Sequence, residues 1–106
     1  MKNSEKQKSP IQNLYGIYDV KAGRYFPPFT NENHKTAVRA FRSMANSEES
    51  LIAKNPEDFR LFHFGDFDPN DGQIDALDQP FHVCDAMDFF REQNPTESTS
   101  IEHLIL

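Results

Sequence analysis

The chain has 106 residues, 37 % of them apolar and 26 % charged, which is material for one small core and not for two domains. Four Gly argue against a glycine-rich phosphate loop, the lone Cys84 excludes an intramolecular disulfide or a thiolate zinc cage, and the absence of a signal-like stretch or of the roughly 18 apolar residues of a membrane span sets the expectation of a soluble, intracellular protein. The formal net charge of −6 argues against nucleic acid as a partner, yet it divides into eight Lys/Arg against three Asp/Glu in residues 1–46 and three against fourteen in residues 47–106, and it is the local field that decides where an anionic polymer can sit.

Residues 1–12 are polar and lysine-rich with one aliphatic side chain, so they bury too little to offset ordering and read as a flexible basic arm. Two aromatic and β-branched runs follow, residues 13–19 (NLYGIYD) and 23–29 (GRYFPPF), spaced for a β-hairpin that turns at residues 21–23. Pro27 and Pro28 lack ladder donors and end the second strand or put it at an edge. Thr30 or Asn31 can then cap a helix of about 15 residues ending at Asn46, since at about 100° per residue Ala37, Val38, Phe41, Met44 and Ala45 form one apolar arc while Lys35, Arg39 and Arg42 form a separate cationic stripe.

Residues 47–58 combine acids, a proline and a short apolar pair, which predicts a surface connection with Leu51 and Ile52 tucked inward. Residues 59–67 (FRLFHFGDF) read as a strand with Phe59, Leu61, His63, Gly65 and Phe67 on one face and Arg60, Phe62, Phe64 and Asp66 on the other. Turn chemistry is dense at residues 68–72 (DPNDG), and residues 73–77 can return as a short strand. Within residues 78–92 the spacing of Phe81, Cys84, Ala86, Met87, Phe89 and Phe90 permits a short amphipathic helix, and residues 93–106 read as a polar tail. The expectation is therefore a single α+β domain over residues 13–92, an antiparallel sheet of about four strands in the order β-β-α-β-β packed on one helix, with a short C-terminal helix.

Catalytic and metal-binding patterns are weak. Asp66, Asp68 and Asn70 alternate like the first ligands of a calcium loop, but Asp71 and Leu77 stand where that loop needs Gly and a bidentate Glu. His34, His63, His82 and His103 show no pair at metal-ligand spacing, which points to separate structural roles. Cys84 and His82 are sequence neighbours without an oxyanion-hole signature, so a buried thiol is favoured over a nucleophile. No two carboxylates stand out as an acid/base pair. The residues predict no catalytic centre, no metal site and no cofactor.

The stronger constellation is in the basic half. Tyr15, Tyr18 and Tyr25 interleave with Lys21 and Arg24 and are followed by the helix stripe of Lys35, Arg39 and Arg42. Rings on which bases stack, beside cations that neutralise phosphates, are what sequence-tolerant binding of single strands requires. The bland alternative is that the rings form core and the stripe is a solvated helix face.

Five short blocks then occur in order: Y-x-I-Y-D-V-K-A at residues 15–22, Y-F-P-P-F at 25–29, A-V-R-A-F-R at 37–42, N-P-E-D-F-R-L at 55–61 and G-D-F-D-x-x-D-G at 65–72. As a set they resemble the small non-structural protein of gokushoviruses, the microvirus branch of single-stranded DNA bacteriophages. The resemblance implies a non-enzymatic phage accessory protein of the host bacterial cytoplasm, associated with single-stranded DNA in genome replication or in the switch to single-strand synthesis and packaging. Lys21, Arg39 and Arg42 fall inside the matching blocks. The competing expectation is a protein-interaction module that binds a phage replication or capsid protein, or a host factor, through the acidic half. Exposed sheet edges in so small a domain also favour a homodimer.

Overall fold

A computed structural model describes residues 8–93, with side chains described as far as Phe90. The expectations for residues 1–7 and for the tail therefore lie outside the described residues. The first strand, β1 (Gln12–Asp19), is the centre of the molecule. Its alternation sends Tyr15 and Ile17 to one side, both buried, and Gly16 and Tyr18 to the other.

The chain reverses at residues 20–23 and returns along β1 in two pieces. β2 (Arg24–Tyr25) lies opposite Tyr18 and Asp19, and β3 (Phe29–Asn31) lies opposite residues 13–15. The predicted hairpin is present, and Pro27-Pro28, with no N–H to give the ladder, is what divides its second strand.

Helix α1 (His34–Asn46) begins at Asn33, not at Thr30 or Asn31, which belong to β3. The Asn33 side chain accepts from the Thr36 N–H at 2.9 Å and the Thr36 hydroxyl accepts from the Asn33 N–H at 3.3 Å, a reciprocal cap. Ala37 and Phe41 are fully buried from this helix. Ser50 ties the next turn to it by donating to the Met44 carbonyl and accepting from the Ala53 N–H, which starts α2 (Leu51–Lys54). Only Ile52 of the expected pair is buried, because successive helical residues lie about 100° apart and cannot both face inward. Leu51 stands in solvent.

A single 3-10 turn (Pro56–Asp58) leads into β4 (Phe59–Phe67), which runs antiparallel to β1, with Ile17 opposite Leu61 and Asp19 opposite Phe59. β5 (Ile74–Asp85) then pairs with β4 and is far longer than expected. Residues 78–85 continue as strand where a helix was expected, because Phe81, His82, Cys84 and Asp85 find ladder partners in His63, Phe62, Leu61 and Arg60; pairing with a neighbour overrides a local helical spacing. The helix itself, α3 (Ala86–Gln93), starts where the Asp88 carboxylate accepts from the Asp85 N–H at 3.0 Å.

Among the described residues the result is an α+β arrangement with a five-stranded antiparallel sheet, β2 and β3 sharing one edge in the order β2-β1-β4-β5, and three helices in place of the one or two expected. All three helices serve one core. Tyr15, Ile17, Phe59 and Leu61 from the sheet meet Ala37, Phe41, Ile52, Ala86 and Phe89 from the helices. Burying a side chain the size of Phe41 contributes about 1.5–3 kcal/mol. Among the described residues, no helix covers the opposite face of the sheet.

Candidate nucleic-acid interface

The uncovered face is aromatic. Tyr18, Tyr25, Phe62 and Phe64 all project from it. Tyr25 lies opposite Tyr18 across the hairpin with ring centroids 4.7 Å apart, and its ring meets Phe62 at 5.7 Å and Phe64 at 5.1 Å, both edge to face. Phe62 extends the cluster to Tyr18 at 6.2 Å and to His82 of β5 at 5.4 Å. Edge-to-face packing locks each ring by its neighbours, so the surface is organised before any ligand arrives. Gly16 is part of the design, because any Cβ there would strike the Phe64 ring, which lies across the bare backbone of β1.

Charge borders these rings sparsely. Arg60, on the same face of β4, places its Nε 3.7 Å from Asp85 Oδ1, and His82 Nε2 is 2.6 Å from the same oxygen. Lys21 and Arg24 are exposed at the hairpin end. Asp19 holds that turn closed by accepting from the Ala22 N–H at 3.0 Å.

Of the eight residues expected to contact DNA, the structure gathers Tyr18 and Tyr25 on the open face; Lys21 lines a pocket with Leu51, Asn55 and Phe59 on the helical side, and Arg24, next to Tyr25 in β2 and opposite Asp19, is turned the same way by strand alternation. Tyr15 is a correction. It is 0 % exposed, in the core between sheet and helices, and a ring without accessible surface cannot stack on a base. Lys35, Arg39 and Arg42 are on α1, in the helical layer on the other side of the sheet, and are not brought together with Tyr18 and Tyr25. They line a groove of ≈ 360 Å³ with His34 and Val38, and the Arg42 guanidinium lies 5.2 Å from the centre of the Phe89 ring. Sequence reasoning left Phe62, Phe64 and Arg60 out of the site although their shared strand parity was visible. Period-2 alternation says that these residues share a face, and only the position of the helices says that the face is open.

The polar groups elsewhere are engaged in structure. His34 and His63, which sequence spacing kept apart, have ring centroids 4.9 Å apart beside Tyr15. Asn13 Nδ2 donates to the Tyr15 hydroxyl at 3.2 Å, leaving that hydroxyl to donate to His34 Nδ1 at 2.6 Å. Burial, and secondarily the neighbouring His63, lowers the His34 pKa. Burial raises that of Tyr15, only partly offset by the Asn13 hydrogen bond. Cys84 faces Leu61 and packs against the core, and burial, with Asp88 and Asp85 adding to it, pushes its thiol up to about 12. A thiol so held gives no thiolate at neutral pH. His82 is bonded to Asp85 and not to Cys84. Asp68 and Asp71 accept from the N–H groups of Asn70 and Gln73, each at 2.9 Å, so these carboxylates close the β4–β5 turn. Among the described residues no cluster of three or more potential ligands is arranged for a metal ion, and no helix is long and apolar enough to cross a membrane.

A family model described as Phage ORF5 protein matches residues 12–89, a span running from the first residue of β1 to the buried Phe89 of α3. No curated protein and no solved structure matches the chain.

Proposed function

The chain belongs to the Phage ORF5 protein family, and from that premise we propose that it is a phage accessory protein that holds single-stranded DNA on the open face of its sheet, by binding and without catalysis, in the host bacterial cytoplasm. The observation that carries this reading is the uncovered cluster of Tyr18, Tyr25, Phe62 and Phe64. Unpaired bases expose π-faces that a duplex hides in its stack, so rings presented from a sheet select single strands. Tyr25, 39 % exposed, is the foremost ring, and Phe62 forms the floor between Tyr18 and His82. Arg60, opposite Tyr18, is the cation on this face, and its ion pair with Asp85 is one that a phosphate can replace. The resemblance of the sequence blocks to gokushovirus non-structural proteins supports genome replication, or the switch to single-strand synthesis and packaging, as the setting.

The test is anisotropy of a labelled oligonucleotide against protein concentration, in single-stranded and duplex form. Single strands are expected to bind in preference to duplex. One phosphate contact, through Arg60, corresponds to a log–log salt slope of about −0.7 for a single strand. Phe62→Ala and Tyr25→Ala are each expected to weaken binding by about 1–3 kcal/mol. Equal affinity for duplex, or an unchanged affinity in both variants, would overturn the assignment.

A further inference from the structure

The cationic groove on α1 takes no part in the proposed platform, and its lining is specific. Lys35 and Arg39 rise from one side of the helix over Val38 and His34, and neither forms an ion pair among the described residues. Phe81 stacks on His34 with centroids 6.2 Å apart and remains 56 % exposed. The groove is thus basic with an apolar floor and rim. At the other end of the sheet, the β4–β5 arm has the opposite character. Residues 66–78 hold Asp66, Asp68, Asp71, Asp75 and Asp78 and no Lys or Arg. Two aliphatic side chains stand among these acids in solvent, Ile74 at 59 % and Leu77 at 41 % exposure.

We propose that the α1 groove docks the acidic β4–β5 arm of a second copy of this chain. Charge complementarity selects the occupant, since Asp75 meets Lys35 and Arg39 while Leu77, two residues further along β5, covers Val38 and Phe81. The chain's own arm leaves both cations unpaired. The contact joins two different surfaces, so a pair leaves the arm of one copy and the groove of the other unused and further copies can add. The division of charge between the two halves of the sequence is then the two sides of one interface.

Sedimentation velocity of the full chain tests this at low and high salt. Association is expected to grow with concentration at low salt and to fall as the Debye length shrinks from about 10 Å at 0.1 M to about 3 Å at 1 M. Arg39→Glu and Asp75→Lys, each checked for an unchanged circular dichroism spectrum, are expected to lower self-association at least ~10-fold. An equimolar mixture of the two is expected to associate again, because the groove of one variant and the arm of the other are unchanged and the two reversed surfaces are complementary in charge. A wild-type chain that stays monomeric at low salt, variants that associate like wild type, or a mixture that stays monomeric would each overturn the proposal.

Discussion

A proton on His34 has no good place to go. Its Nδ1 faces the Tyr15 hydroxyl at 2.6 Å, that hydroxyl already accepts from Asn13, and the ring of His63 stands 4.9 Å away. Burial and His63 both lower its pKa. The unfolded chain therefore takes up this proton first as pH falls below the usual imidazole value of about 6.5, and the stability present above that value declines toward acid. Urea midpoints are expected to drop between neutral pH and about pH 5, and His34→Gln is expected to flatten the dependence; a slope identical in the variant would assign it to other groups. None of this was visible in the sequence. His34 and His63 are 29 positions apart, and they meet only because α1 is laid across β4.

At the scale of elements, the two glycines of the sheet act through space and not through flexibility alone. Gly65 has φ +155°, a region that side chains avoid, and a Cβ there would run into the backbone carbonyl of Asp75. The position lies where the β4–β5 register jumps, from His63 opposite Phe81 to Gly65 opposite Ala76, so residues 77–80 bulge outward against Phe64 alone. Gly65→Ala is expected to cost about 1–3 kcal/mol in backbone strain, seen as a lower denaturant midpoint at unchanged m. The elements with strong local signals were legible before the fold was known. The apolar arc of α1 and the alternation of β4 each carry their own period, and the turn at residues 68–72 carries its own hydrogen-bond acceptors in Asp68 and Asp71. β5 was misread beyond residue 77 because its apolar residues fit a helix as well as a strand, and the choice belongs to the partner strand.

Across the whole molecule, sheet and helices divide the chain into two surfaces of different chemistry. The aromatic face and the basic groove lie in separate layers, so their actions are separable. Phe62→Ala is expected to lower oligonucleotide affinity while leaving self-association unchanged, and Asp75→Lys to lower self-association without weakening the binding of an oligonucleotide too short to span two copies. Loss of both properties in either variant would mean that one surface serves both.

The sequence by itself determined the α+β class, where the central helix and strand β4 run, and which side chains share a face, because those properties follow from the periods of helix and strand and from turn chemistry. It did not decide which aromatic rings are core. Tyr15 and Tyr18 stand three residues apart on one strand with the same chemistry, and period 2 separates them onto opposite faces without saying which face the helices cover. Only the tertiary structure decided that, since the described helices join one core on the face that carries Tyr15 and leave Tyr18, Tyr25, Phe62 and Phe64 open. The physical reason is that burial belongs to the packing of layers, and a layer is assembled from residues far apart in the chain.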